Sequence, residues 1–438
     1  MLKGLNFTKA SNLQTLINDS GDWFLHDKTA TMLLVLVGFT GGIMQTAIVN
    51  IGQIISGDWQ HPFAEGSSIL VDGELISKVG ELTDQEIDNC DVVIDAGGAV
   101  AIPGFIDSHV HIAFGDFTPR QNTVGYLQSY LHGGVTTSIS ASEVHVPGRP
   151  KDPDGVKALA IAAKKCFESY RPGGMRVHAG SLILEPGLNL RDYEEVLSKG
   201  VWLAKAGFGA VTSASEYISM VSEARKAGLF TTLHTGGASI PGSFPITGAD
   251  LININPHVSF HINGGPVSME DKYFEIVARD TDIAMQVCTA GNLRTTILCA
   301  EMARKHNAFE RFLIATDTPT GSGIMPLGLI YTMSQIASLT SFDVPELIAA
   351  ATGNVAKCYG LNSGFLKATC DADIVLIDAP LGGTKADAIA ALKNGDPCAI
   401  GAVMTAGVPR FVGRSNNTPP PIHEIKVARS NVMNMFQG

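Results

Sequence analysis

Two histidines one residue apart, His109 and His111, close the run Ala101-Ile102-Pro103-Gly104-Phe105-Ile106-Asp107-Ser108-His109-Val110-His111. Side chains alternate from face to face along a strand, so both imidazoles project to one side and can share a single metal ion. Further along, single reactive residues fall at the ends of apolar, strand-like runs. They are Lys205 in Ala204-Lys205-Ala206-Gly207, His234 before Thr235-Gly236-Gly237, His261 before Ile262-Asn263-Gly264-Gly265, and Asp317 before Thr318-Pro319. Imidazole and carboxylate suit zinc and other borderline divalent ions and leave positions open for water. Each residue alone has an ordinary reading: a surface His-x-His, a hydrogen-bonded core histidine, a helix cap for Asp317, a buried lysine paired with an acid. Their shared placement at strand ends makes a metal centre the expectation.

Residues this far apart in sequence meet only if the chain repeats a unit that returns to one rim. After Gly104 the pattern is strand, loop, helix, repeated. The predicted strands are Phe105–His111, Val135–Ser140, Met175–Ala179, Val201–Phe208, Phe230–His234, His257–His261, Ile283–Cys288 and Phe312–Asp317, with helices such as Asp154–Tyr170, Glu216–Ala227 and Asn292–His306 between them. Eight strands alternating with helices predict an α/β protein built on a (β/α)8 TIM barrel, whose reactive groups sit at the carboxyl ends of the strands.

Before Ala101 and after Gly364 the pattern is short β-runs and turns, including a hairpin at Asp72-Gly73. The expected organisation is therefore an extension over 1–45, half a small β-sandwich over 46–102, the barrel over 103–363, and the other sandwich half with a tail over 364–438. The tail after Asn416, with Thr418-Pro419-Pro420-Pro421, reads as a strand-free arm. Thr29 to Gly57 carries no charged residue, but its greasiest part, Met32 to Phe39, is short for a membrane span. Acidic Asp19, Asp22 and Asp27 precede it where a signal peptide carries basic residues, so no membrane partner is expected.

At 438 residues, 45% hydrophobic and 17% charged, the chain suits a core-rich barrel with an accessory domain. A net charge of −11 with no Lys/Arg run argues against nucleic acid as a partner. The seven cysteines are odd in number, scattered and without a C-x-x-C pair, which fits reduced thiols in a cytoplasmic protein.

The Pro103 to His111 run, followed by ordered single histidines and a late aspartate, resembles the amidohydrolase superfamily of metal-dependent hydrolases. Ile51–Asp58, Pro147–Asp152, His234–Ser243, Ser259–Pro266 and Leu361–Gly364 are similar to its enamidase branch. That branch converts 6-oxo-tetrahydronicotinate to 2-formylglutarate and ammonia. The resemblance implies a binuclear amidohydrolase that cleaves the C–N bond of a cyclic amide through a hydroxide bridging two divalent metals, zinc or a zinc/iron pair. It assigns one metal to His109, His111 and Asp317 and the other to His234 and His261, makes Asp317 the proton shuttle, and suggests a homo-tetramer.

Lys205 departs from the pattern, because enamidases carry a glutamate there. In other branches a lysine at this place takes up carbon dioxide, and the carbamate bridges the metals. A hydantoinase, dihydroorotase or dipeptidase type acting on a different amide therefore stays open. A mononuclear deaminase would leave the Lys205 position without a role, and a barrel that has lost catalysis fits poorly with filled ligand positions. His178, in Val177-His178-Ala179-Gly180, is a candidate for stabilising the oxyanion or a structural histidine. Arg120, His145, Arg149 and Ser239 lie in loops after strands one, two and five. They are candidates for gripping substrate, the planar fork of Arg120 suiting a carboxylate, or for ordering those loops.

Overall fold

The computed structural model describes residues 44–112, 117–118, 122–143, 146, 148–239, 243–319 and 323–432. The chain divides into two units between Ile43 and Met44, and the described residues all belong to the second. Most of the expected extension therefore lies outside them, as do Arg120 and His145. Gln45, counted with that extension, instead opens the first strand, Gln45–Val49.

Parallel strands alternating with helices fill the middle of the chain. Three of them, Phe105–Val110, Val135–Ser140 and Arg176–His178, form one ladder. Six more, Ser181–Ile183, Leu203–Ala206, Phe230–His234, Val258–Phe260, Ala284–Cys288 and Phe312–Ala315, form a second, with every neighbouring pair parallel. The first and last strands meet at a parallel bridge, Val110 to Thr318, where the His111 N–H donates to the Thr318 carbonyl at 2.8 Å. Ile106, Ile139, Leu203, Val258, Ala284 and Leu313, one residue from each of six strands, pack into one buried cluster with Val355, Ala356 and Tyr359 of the helix Gly353–Tyr359.

Local chemistry sets where the intervening helices start and stop. Asp152 caps Pro153–Ser169 by accepting the Gly155 N–H, with Pro153 at the first helical position, where its missing N–H costs nothing. Glu216–Ala227 ends at Gly228, whose φ of 104° is the left-handed conformation a helix terminus favours in glycine.

The expected third strand, Met175–Ala179, is only its first part. Gly180, at φ 84°, tucks against the carbonyl of Ala160 and the side chain of Lys164, and the chain resumes as Ser181–Ile183. The carboxyl end of this strand thus lies near Leu184 and Glu185, beyond His178.

Two further sheets draw on both ends of the described chain. One orders Lys426–Ser430, Val92–Asp95, Gln45–Val49, Ser68–Asp72 and Leu75–Gly80; the other orders Val408–Val412, Ala399–Thr405, Ile374–Asp378, Val100–Pro103, Gln53–Ile55 and Phe63–Ala64. Their shared core includes Ile48, Ile69, Ile94, Leu376, Met404 and Ile425. The tail is not strand-free. Lys426–Ser430 pairs antiparallel with Val92–Asp95, its alternation of exposed and half-buried residues suiting an edge strand. Among the described residues no helix is long and apolar enough to cross a membrane. All seven cysteines are free thiols.

Candidate metal centre

His109 is fully buried, and its two ring nitrogens have different partners. Nδ1 lies 2.8 Å from Gln286 Oε1 and Nε2 lies 3.0 Å from Asp317 Oδ1. Gln286 fixes the proton. Its Nε2 faces the Ser108 hydroxyl at 2.8 Å and the Ser108 carbonyl at 3.4 Å, and a carbonyl only accepts. The amide oxygen must then be the atom facing His109, so Nδ1 donates to it. Burial holds His109 down to about 4, so the ring is neutral at physiological pH and has no second proton. Its Nε2 lone pair therefore points at a carboxylate oxygen. His111 Nε2 approaches that oxygen too, at 3.2 Å, and the ligand atoms of His109, His111 and Asp317 all lie within 4.8 Å of one another.

The same argument applies to the second pair. His234 Nε2 donates to the Gly237 carbonyl at 2.7 Å, and His261 Nδ1 donates to the Thr235 carbonyl at 3.0 Å. Burial holds His234 down to about 4, and burial together with His234 carries His261 further below its ordinary value. Each neutral ring has spent its one proton on a carbonyl. The remaining atoms, His234 Nδ1 and His261 Nε2, face each other at 3.1 Å. Two lone pairs at that separation repel unless a cation joins them. His109 links the groups, its ring centroid 5.3 Å from those of both His111 and His261.

Lys205 completes the cluster from the strand Leu203–Ala206. It is fully buried, its Nζ has no hydrogen-bond partner, and burial pulls it down to about 7. The amine sits 4.0 Å from the ring centre of Phe260 and 5.3 Å from that of Phe208. Phe260 is also 4.0 Å, centroid to centroid, from His109. Six of the expected residues are thus brought together: His109, His111, Lys205, His234, His261 and Asp317.

Two of them reach the centre through backbone that strand alternation does not provide. Phe260 and His261 are neighbours yet both face the cluster, because His261 turns to φ 36° beyond the strand end. Asp317 has φ 57°, two residues past Phe312–Ala315. Its flanks are pinned. Thr316 donates through its N–H and hydroxyl to the buried Asp107 carboxylate at 3.1 and 2.6 Å, and the Thr318 hydroxyl is bonded to those of Thr316 and Tyr130.

Other candidates are placed elsewhere. His178 sits before the Gly180 break, edge-on to Trp202 at 5.8 Å, and the charged groups acting on it are Arg176, Lys164, Asp371 and Arg171 rather than any of the six. Those neighbours set it apart from the six clustered residues. Arg149 donates to Glu185 Oε1 at 2.6 Å and to the Phe208 carbonyl at 3.0 Å, which commits its fork to the protein. Ser239 is exposed, its N–H donating to Ser243 Oγ at 3.0 Å.

Gln286, Asp107, Thr316, Thr318 and Glu185 were not singled out from sequence. Only Asp107, a buried charge in an apolar strand two residues before His109, carried a usable signal.

Oriented imidazoles, a carboxylate and a buried, unpaired lysine converging at the ends of parallel strands form a site that suits a metal ion in an α/β enzyme. The amidohydrolase family profile matches residues 100–409, and the chain belongs to that family. Enamidase of Eubacterium barkeri is 40% identical over 386 residues, 87% of this chain and 99% of that protein. The crystal structure of enamidase matches with a TM-score of 0.84, covering 87% of this chain and 100% of that one. Adenine deaminase 2 of Desulfotalea psychrophila is 26% identical over 72% of this chain, which spans about half (51%) of that relative's length. β-Aspartyl dipeptidase of Fervidobacterium islandicum, at 18% identity and a TM-score of 0.58, shares the fold.

Proposed function

We propose that the chain is an enamidase-like, binuclear metal-dependent amidohydrolase that opens a cyclic amide. The observation that carries this reading is the facing of lone pairs: His234 Nδ1 against His261 Nε2 at 3.1 Å, and His109 Nε2 against Asp317 Oδ1 at 3.0 Å. A divalent cation at each contact would satisfy both pairs of lone pairs. The two parallel ladders are read as one (β/α)8 barrel closed at Val110 and Thr318, running over 103–363, with the sheets from both chain ends as its sandwich over 46–102 and 364–438.

His109, His111 and Asp317 would hold one divalent ion, His234 and His261 the other, zinc or a zinc/iron pair. Such ions would supply Lewis acidity toward the amide carbonyl and acidify the attacking water. Lys205, unpaired and with its proton loosened by burial, would take up carbon dioxide as a carbamate and present oxygen donors between the two sets. Asp317, with Oδ1 toward the histidines and Oδ2 4.0 Å from Cys288 Sγ, would accept the water proton and return it to the leaving nitrogen. With an enamidase-type substrate, the released enamine hydrolyses to aldehyde and ammonia. We assign the enzyme to the cytoplasm and to a homo-oligomer, a tetramer by analogy.

The second reading, a hydantoinase, dihydroorotase or dipeptidase type, is favoured by the lysine itself. Turnover of a panel of cyclic amides and dipeptides, 6-oxo-1,4,5,6-tetrahydronicotinate first, separates the two. About two metals per chain with turnover of that lactam is expected. Turnover of dipeptides or hydantoins alone would establish the second reading, and a protein that binds no metal would exclude both.

A further inference from the structure

The buried pair Arg149–Glu185 joins three loops at the rim. Arg149 comes from the loop after Val135–Ser140, Glu185 follows Ser181–Ile183, and their shared target is the segment after Leu203–Ala206. The Glu185 side chain is fully buried and that of Arg149 nearly so, at 10% exposure. Arg149 donates to Glu185 Oε1 and to the Phe208 carbonyl; Glu185 Oε2 accepts the Ala210 N–H. Tyr217 OH accepts the Gly209 N–H at 2.7 Å. The two peptides that follow Phe208, Phe208–Gly209 and Gly209–Ala210, are therefore fixed, and the Phe208 ring is pressed 5.3 Å from Lys205 Nζ and 5.1 Å from the His234 ring.

From this geometry we infer that Arg149 and Glu185 are positioning residues: they lock Phe208 as the wall that keeps water and reagents off Lys205. Their consequence for metal binding rests on the proposed metal centre, but the wall itself does not. An ion pair this deep is poorly repaid as a source of stability, because desolvation offsets the attraction. What the pair provides is directionality: one planar guanidinium spans a carboxylate and a carbonyl, which a lysine cannot do. No hydrogen bond holds the Phe208 ring, so its place depends on the backbone being held.

The test reads Lys205 directly. The full-length chain, freed of metal with a chelator, is treated with formaldehyde and a borane reductant, and methylation of Lys205 is timed by peptide mass spectrometry against exposed Lys199. In the wild type, Lys205 should react about tenfold or more slowly than Lys199. Phe208→Ala should remove most of that protection, and Phe208→Leu, which refills the wall, should keep it. The double variant Arg149→Met/Glu185→Gln avoids stranding a buried charge and should match Phe208→Ala, with no further gain when the two are combined. Circular dichroism and a thermal melt establish that each variant is folded. A folded double variant whose Lys205 stays as protected as in the wild type would overturn the inference, as would a wild-type Lys205 that reacts like Lys199. Metal counting on the untreated wild type is separate: a metal-free result would remove the proposed centre while the labelling still decides the wall.

Discussion

His234 Nδ1 and His261 Nε2 face each other across 3.1 Å with both rings' protons committed to backbone carbonyls, of Gly237 and Thr235. On the proposed reading, a divalent ion would close that contact. A ligand that binds only the folded state adds about 4 kcal/mol at a thousandfold excess over its Kd. Chelation of the loaded protein should therefore lower its melting temperature by several degrees, and His261→Asn should abolish the part due to one ion. Calorimetric melts paired with metal analysis check this. A melt indifferent to the chelator would end the metal reading.

Gln286 is expected to matter as much as a ligand, although it would touch no metal. It claims the His109 Nδ1 proton and so aims the Nε2 lone pair. Loss of such an orienting partner typically costs about 10–100-fold in metal affinity or activity. Gln286→Leu should show that loss in a metal titration. Gln286→Glu, which still accepts from Nδ1, should retain most of the affinity; equal effects of the two variants would show that the hydrogen bond is not the cause.

The strand-and-helix repeat and the six converging residues were readable because period-two runs, Gly stops and reactive residues at run ends are local signals. What was not readable has specific physical causes. His178 looked like a strand-end residue because the Gly180 break is a tertiary accommodation to Ala160 and Lys164. Arg149 looked available for substrate because nothing in sequence announces Glu185, folded against it from another loop. His261 and Asp317 do reach the cluster, but their aim depends on positive φ values that no composition rule assigns to histidine or aspartate. The tail strand Lys426–Ser430 was hidden by the preceding prolines and by its own modest hydrophobicity.

Lys205→Ala should lose metal and activity together, since the residue presents an unpaired amine at the centre of the cluster. If its part is to carry a carbamate, a short carboxylic acid added to the variant should restore both, by supplying the missing oxygens. Propionate titration of the variant, followed by metal analysis, gives the answer. Unchanged activity in Lys205→Ala would remove the residue from the site.

Acid should destabilise the metal-free protein, in part through His257. The Thr231 N–H donates to His257 Nδ1 at 2.9 Å, which requires the neutral ring, and burial, with Arg225 nearby, holds the group down to about 4. Its folded value lies below its ordinary one near 6.5, so the unfolded chain binds more protons between those values. The stabilisation is complete above about pH 6.5 and is lost as the pH falls toward 4. With a discount for its partial exposure, the contribution is about 1 kcal/mol. Urea melts at pH 7.5 and 5.0 should therefore differ less for His257→Gln than for the wild type.

Gly207→Ala separates backbone strain from damage to the site. Gly207 has φ 103°, and a Cβ there would lie 2.5 Å from the Cβ of His234 and 3.2 Å from its nitrogen. Gly360 has φ 67° with nothing within 4 Å of such a Cβ, so Gly360→Ala has the conformational cost alone, about 1 kcal/mol. Gly207→Ala adds a collision with the backbone that carries His234, for a total of about 2–3 kcal/mol. His234 cannot retreat without lengthening its 2.7 Å bond to Gly237 and widening its 3.1 Å approach to His261. The ion of that pair should be lost first, leaving about one metal per chain, bound by His109, His111 and Asp317. Gly360→Ala should keep two. Equal metal content in the two variants, at matched stability, would show that the loop after Lys205 does not set the position of His234.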